Sequence, residues 1–351
     1  MSSTKYEDLP DELQVELRNI ASSICRKGCG ILAADETPLA MADRFNHLNI
    51  ENSPENRRKY RQMLFSCTRD ELAPLSAVIL QDETVHQTTD DGRPFAQVVS
   101  DLGIVPGITL DKGWIKMTGS SKEVYTQGLD GLDQRCVEYK KLGCQFAKWR
   151  MVVSIGDDIP TTEAIKEGAR SMAMYAMITQ RNGLVPIIEP DIGRGGSHTA
   201  ERCLKVTQVV LAEVYKALAD YHIYLEGTLL KPNMVTNGNK CPVHADPERV
   251  AELTLIALSR HVPPAVPGVF FLSWGQTEKM ATDNLRAINN TDGIPKPWMT
   301  SFCYGRALQD SCRSAWLGKD ENMTEAKLQF IQRVAENGLA AIGQKTTQTD
   351  K

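Results

Sequence analysis

The sequence predicts an α/β fold: a single (β/α)8 TIM barrel with an extra N-terminal helix and an extra C-terminal helix. Three observations carry that reading. Eight short apolar runs alternate with helical stretches along the chain, and strands alternating with helices imply a parallel sheet. Several of these runs are apolar for a few residues and then end in ionisable ones, as in Gly30–Glu36, Gln145–Arg150, Val185–Asp191 and Tyr224–Lys231. Strands whose C-terminal ends open into one polar site give that pattern. Finally, no Pro/Gly/Ser-rich linker divides the 351 residues, so eight units in one chain imply a closed barrel.

Taken in order, residues 8–27 read as a helix ahead of the first strand. Strands are expected at Gly30–Asp35, Ser76–Leu80, Val105–Leu110, Gln145–Arg150, Val185–Glu189, Leu225–Lys231, Val269–Ser273 and Met299–Phe302. Pro54 opens a helix with Ser53 as its N-cap, the pairing that satisfies the free N–H groups of a first turn. Thr161 and Thr162 open another that runs to Asn182-Gly183, a helix stop. Residues 200–220 and 247–260 are helical by period. The barrel is thus expected over 30–316, a C-terminal helix over 323–341 and a short tail over 342–351, all in one domain spanning 1–351. A dinucleotide fold would need GxGxxG after its first strand, whereas Asp35-Glu36-Thr37-Pro38 follows here. Gly193-Arg194-Gly195-Gly196 lacks that spacing, and no Walker A sequence occurs.

Composition narrows the function classes. A hydrophobic content of 42% supports a substantial core, and a formal charge of −4 suggests neither a nucleic-acid nor a membrane partner. No run is long enough for a membrane span, and residues 1–30 carry no signal-peptide core. The nine cysteines are scattered without CxxC spacing, which reads as reduced thiols and a cytoplasmic location. His47, His86, His198, His222, His244 and His261 form no close pair, and none ends a predicted strand. No metal and no cofactor are expected; neighbouring acids offer only a weak magnesium signal.

Lys231 is the most informative residue. It ends the apolar run Tyr224-Leu225-Glu226-Gly227-Thr228-Leu229-Leu230, where burial disfavours the ammonium. Bringing a lysine from about 10.4 to near 7 costs roughly 4–5 kcal/mol. A neutral amine at a pocket mouth is a nucleophile for carbonyl carbon. The plainer reading is a buried stem whose head reaches water. Lys148, at a second strand end, is expected to lower the Lys231 pKa further by repulsion. If the strand ends converge, that face also holds Asp35, Asp82, Glu83, Asp111, Arg150, Glu189, Asp191, Ser273 and Arg306. Glu189 is then placed to move protons, and Asp35 to take one from a hydroxyl beside a breaking carbon–carbon bond. Singly, each acid also reads as a rim salt bridge. Ser273-Trp274-Gly275 and Tyr304-Gly305-Arg306 follow strands seven and eight, a common phosphate-binding location in barrels, though ordinary turns also look this way.

At these motifs the chain resembles class I fructose-bisphosphate aldolases. The resemblance rests on Gly30–Glu36, Glu51–Gln62, Asp90–Phe95, Thr126–Leu132, Phe146–Arg150, Val185–Pro190, Tyr224–Val235 and Tyr304–Leu308, and it runs from about residue 10 to 340. It implies a metal-free Schiff-base lyase that cleaves fructose 1,6-bisphosphate reversibly to dihydroxyacetone phosphate and glyceraldehyde 3-phosphate. It also implies a glycolytic and gluconeogenic role, and a homotetramer. By the resemblance Lys231 is the Schiff-base lysine; Asp35, Lys148 and Glu189 are the acid–base residues; and Arg150 positions the substrate. Ser273, Gly305 and Arg306 cradle the ketone-side phosphate, with Trp274 beside them where the family has glycine.

The departures lie around the second phosphate. The family's Ser-Thr-Gly-Ser is Thr37-Pro38-Leu39-Ala40 here, Asp43 replaces a basic residue beside Arg44, and Thr109 stands at a lysine position. Thr37 and Arg44 remain the expected contacts there, and Lys112 or Lys116 could compensate. A charged hydrogen bond is worth roughly 1.5–3 kcal/mol, so losing one or two implies weaker use of a bisphosphate. Cys303 replaces a serine, and the family's tyrosine-ending tail has no counterpart before Lys351. Two alternatives accompany the leading reading: an aldolase with altered aldehyde specificity, and a non-catalytic binding or scaffold protein.

Overall fold

The computed structural model describes residues 8–120 and 122–345. Eight parallel strands close into a barrel: Gly30–Ala33, Leu75–Leu80, Val105–Thr109, Phe146–Val153, Val185–Ile192, Leu229–Leu230, Gly268–Phe271 and Met299–Tyr304. Each strand pairs with its neighbour in sequence, and the last closes on the first through Ile31↔Cys303 and Leu32↔Tyr304. The longest ladder joins the fourth and fifth strands, from Phe146↔Val185 to Val153↔Ile192.

Side chains on a strand alternate between two faces, and here the two faces belong to different cores. Ile31, Ala33, Ala77, Ile79, Phe146, Val185, Ile187, Leu229, Phe270 and Cys303 form a cluster inside the barrel. Their neighbours Leu32, Val78, Ala147, Trp149, Ile188 and Leu230 belong to the larger cluster under the surrounding helices. Adding two residues to Ala33, Phe146, Ile187 and Leu229 gives Asp35, Lys148, Glu189 and Lys231. The inward row therefore turns from apolar to ionisable at the C-terminal end of the barrel, as the sequence pattern predicts.

The N-terminal helix, Asp11–Ile24, closes the opposite end. Leu17, Ala21 and Ile24 recur at one-turn spacing and join the interior cluster, all fully buried. Each buried leucine or isoleucine contributes about 1.5–3 kcal/mol. With that end plugged, the barrel interior opens to a cavity at the C-terminal face.

The expected caps hold. Ser53 Oγ accepts from Asn56 N at 3.2 Å ahead of the helix Pro54–Phe65, and Thr161 Oγ1 accepts from Ala164 N at 3.2 Å ahead of Thr162–Arg181. Helices Ala200–Asp220, Pro247–His261 and Met323–Ala340 lie where expected. The run Leu225–Lys231 differs: Leu225–Gly227 is a 3-10 turn, and only Leu229–Leu230 is strand. A Cβ at Gly227 would stand 2.9 Å from Leu17 Cβ, so the N-terminal helix packs directly on this turn. The antiparallel hairpin Trp114–Lys116/Val124–Thr126 was not read from the sequence. Of the expected tail, residues 346–351 lie outside the described residues. Among the described residues no helix is long and apolar enough to cross a membrane.

Candidate active site

The inward row at the C-terminal face meets in one cavity of about 130 Å3. Its centre is a chain of charges. Glu189 lies between two lysines, with Oε1 3.1 Å from Lys231 Nζ and Oε2 3.5 Å from Lys148 Nζ. Lys148 also reaches Asp35 Oδ2 at 3.0 Å and Asp111 Oδ2 at 3.2 Å. Lys148, Glu189 and Lys231 are each about 95% buried. Charges this far from water persist only when paired, and here three carboxylates surround two ammonium groups. Glu189 Oε2 makes no hydrogen bond, and Lys148 Nζ at 3.5 Å is its ion-pair partner.

The electrostatics differ in one respect from the sequence expectation. Burial does push the Lys231 ammonium toward neutrality, and Lys148 adds repulsion. Cys303, Glu189 and Asp35 outweigh both, and the net direction is upward. Burial pushes the Cys303 thiol itself up to about 12. The resting Lys231 is an ammonium with a proton acceptor 3.1 Å away. Lys148 behaves likewise: burial works against its charge, but Asp111, Asp35 and Glu189 raise its pKa. Burial would raise the Asp35 carboxyl, yet Lys148 and Lys231 hold it below its usual 3.8.

Two arms extend from this centre. On one side Arg150 donates to Asp191 Oδ2 through Nε at 2.8 Å, with Nη2 at 2.5 Å, and Arg150 pairs in register with Glu189. On the other side, Ser273, Trp274, Gly305, Arg306 and Arg44 line the wall. Gly305 precedes the helix Arg306–Trp316, whose N-terminus has no side-chain cap. A Cβ at Gly305 would lie 3.3 Å from Ala33 O, a contact few side chains tolerate. Gly275 takes φ +78, which favours glycine, and lets Gln276 N donate to Ser273 O at 3.0 Å. The Ser273 turn, the uncapped helix N-terminus and a guanidinium together suit a phosphate dianion.

Not every residue expected at this face reaches the cavity. Thr37 is exposed, and its hydroxyl caps the helix Pro38–Asn46 by accepting from Ala40 N at 3.2 Å. Asp82 accepts from the Tyr139 hydroxyl at 2.7 Å, and Glu83 pairs with Arg57 at 2.6 Å; neither lines the cavity. Glu36 does line it but is held by Arg61 at 2.8 Å and Arg313 at 3.4 Å. The sequence reading missed Trp114, whose ring lies over the Arg150 guanidinium, 5.5 Å from Cζ to centroid. Only the hairpin brings it there.

Comparison with known proteins agrees with this architecture. The family model described as fructose-bisphosphate aldolase class-I matches residues 16–351. The chain is similar to fructose-bisphosphate aldolase C-B of Danio rerio, with 52% identity covering 97% of this chain and 93% of that protein. It is 51% identical to human fructose-bisphosphate aldolase C, covering 96% of this chain and 93% of the relative. A solved structure of fructose-bisphosphate aldolase from Plasmodium falciparum, in complex with TRAP and a small molecule inhibitor, superimposes with a TM-score of 0.94. It shares 44% identity over 97% of this chain and 98% of its own. With an eight-stranded barrel, a lysine–carboxylate centre and sequence identity over nearly its whole length, this chain belongs to the class I fructose-bisphosphate aldolase family, a family of lyases.

Proposed function

We propose that this chain cleaves fructose 1,6-bisphosphate reversibly to dihydroxyacetone phosphate and glyceraldehyde 3-phosphate, through a Schiff base on Lys231. The observation that carries the reading is the buried Lys231 Nζ, 3.1 Å from Glu189 and facing the cavity. Lys231 passes a proton to Glu189, and the neutral amine adds to the ketone carbon. The ketone oxygen leaves as water, and a protonated imine remains. That imine draws electrons from the adjacent carbon–carbon bond. As the bond breaks, Asp35 takes the proton from the hydroxyl on the departing carbon, which leaves as the aldehyde. The electron pair stays on the ketone half as an enamine. Protonation of that carbon and addition of water then release dihydroxyacetone phosphate and free Lys231.

The other residues serve this sequence. Lys148 holds Asp35 and Glu189 in place and favours the ionised form of Asp35. Arg150, fixed by Asp191, orients the chain of the sugar. Ser273, Gly305 and Arg306 receive the ketone-side phosphate. Arg306→Ala is therefore expected to weaken dihydroxyacetone phosphate binding by about 1.5–3 kcal/mol, read by calorimetry on a variant with an unchanged far-UV spectrum. Unchanged affinity removes Arg306 from the site.

In this scheme the imine is the electron sink, so no metal is required. Exhaustive treatment with a chelator is expected to leave the rate of fructose 1,6-bisphosphate cleavage unaltered. A loss restored by zinc contradicts the mechanism. Failure to cleave any ketose phosphate under these conditions contradicts the function itself. Nine unpaired cysteines support a reducing, cytoplasmic setting, and the family resemblance supports a homotetramer and a glycolytic and gluconeogenic role. We read the whole chain as one domain.

A further inference from the structure

The cations around the cavity divide into two kinds. Lys148, Arg150 and Lys231 each have a carboxylate oxygen within 3.1 Å. Arg44 and Arg306 have none: among the described residues neither makes an ion pair or hydrogen bond, and Arg44 Nε and Arg306 Nη2 are buried without partners. The two are mutually repulsive, since burial and then the Arg44 charge lower the Arg306 pKa. An arriving dianion would relieve that repulsion. Two free guanidiniums in one cavity provide for one phosphate and leave no unpaired lining cation for a second.

The other groups expected around a second phosphate do not line the cavity, and Thr109, Thr37 and Ala40 are neutral or already engaged. Thr109 Oγ1 donates to Asp111 Oδ2 at 3.2 Å, and the Thr37 hydroxyl is spent on its helix. Ala40 precedes Arg44 by one turn and so offers that helix face a methyl group. Lys112 and Lys116 are exposed and do not line the cavity. Two tryptophans are exposed near the cavity, Trp274 in its wall and Trp114 outside it, packed on Arg150. Trp114 is 53% exposed, with one face over Arg150. Trp274 is 39% exposed, lines the cavity and lies 6.0 Å from Arg306 Cζ. Its ring edge is 3.6 Å from where a Cβ on Gly193 would sit, so the indole rests on backbone that a larger residue would crowd. Half-exposed indoles at the mouth of a site present unfilled apolar surface.

We propose that the substrate needs only the phosphate on its ketone half, and that its aldehyde half is best uncharged, with an apolar body packed against Trp114. This rests on the Schiff-base reading of Lys231 and narrows the substrate class. Fructose 1,6-bisphosphate remains a substrate, but its second phosphate adds little.

The test is the aldol direction, with dihydroxyacetone phosphate and three acceptors: glyceraldehyde 3-phosphate, glyceraldehyde and phenylacetaldehyde. The kcat/KM for phenylacetaldehyde is expected within about tenfold of that for glyceraldehyde 3-phosphate, or above it. Trp114→Ala is expected to lower the apolar-to-phosphorylated ratio about tenfold, the scale of one lost methylene contact. Trp114→Phe is expected to restore most of it. A preference for glyceraldehyde 3-phosphate above about 100-fold, the scale of a charged contact, overturns the proposal. So does a ratio that Trp114→Ala leaves unmoved, or a phosphate preference that disappears in Lys112→Ala or Lys116→Ala. A separate aliquot of each preparation is reduced with borohydride in dihydroxyacetone phosphate. An absent Lys231 adduct overturns the Schiff-base reading; an adduct with a strong phosphate preference overturns only this inference; and an adduct with none of the three acceptors used overturns both this inference and the proposed cleavage reaction.

Discussion

Lys231→Met is expected to lower kcat for fructose 1,6-bisphosphate cleavage by roughly 10⁴-fold or more, the scale seen when a covalent nucleophile is removed. Methionine keeps the length and fills the space, so the loss reports chemistry rather than collapse of the cavity. The variant still contains Lys148, 3.5 Å from Glu189, and the phosphate cradle is untouched. Binding of dihydroxyacetone phosphate is therefore expected to persist while turnover disappears. A steady-state assay beside a binding titration separates the two. Residual turnover within about 100-fold of the parent would assign the nucleophile elsewhere.

The second large effect is on stability. Lys148→Met removes the cation shared by Asp35, Asp111 and Glu189, at 3.0, 3.2 and 3.5 Å. Breaking a buried ion pair from one side costs about 3–5 kcal/mol because the remaining charges stay buried. Catalysis should fall with it, since Asp35 and Glu189 lose their tether. The pH dependence identifies the cause. In the parent, Asp35 is held below its usual 3.8, so the unfolded state binds more protons as the medium turns acid. That contribution is present above the ordinary carboxyl pKa and is lost as pH falls through the lower folded value. Without Lys148 the main charge that lowers the Asp35 pKa is gone, only Lys231 remains, and Asp35 is easier to bury protonated. The variant's deficit is expected to be largest near pH 7 and smaller near pH 4, by urea unfolding at both. A deficit independent of pH would mean that lost packing, not charge, is responsible.

Much of this site could be read from the chain because strands impose a period of two. An apolar row that becomes ionisable two residues after Ile187, or two after Leu229, has to bring Glu189 and Lys231 to the same inner face. The caps at Ser53 and Thr161 were legible for a similarly local reason: a short hydroxyl three residues from a free N–H. What stayed hidden depends on partners distant in sequence. The turn at Leu225–Gly227 is set by contact with Leu17, some 200 residues away in the chain. Trp114 reaches Arg150 through a hairpin whose strands, Trp114–Lys116 and Val124–Thr126, are three residues each, too short for periodicity to mark. The engagement of Thr37 by its own helix, and of Glu83 by Arg57, required the helices to be placed first. The charge state of Lys231 followed the same rule. Burial is visible in an apolar run, but the groups that override it, Cys303, Glu189 and Asp35, come from other strands.

The central claim is that Lys231 bonds covalently to the ketone half of the substrate. Borohydride reduction in the presence of dihydroxyacetone phosphate, followed by peptide mapping, tests it directly. The account predicts one stable adduct on the peptide containing Lys231, with activity lost in proportion to labelling. An adduct on Lys148 instead, or active protein that reduction leaves unlabelled and uninhibited, would contradict it.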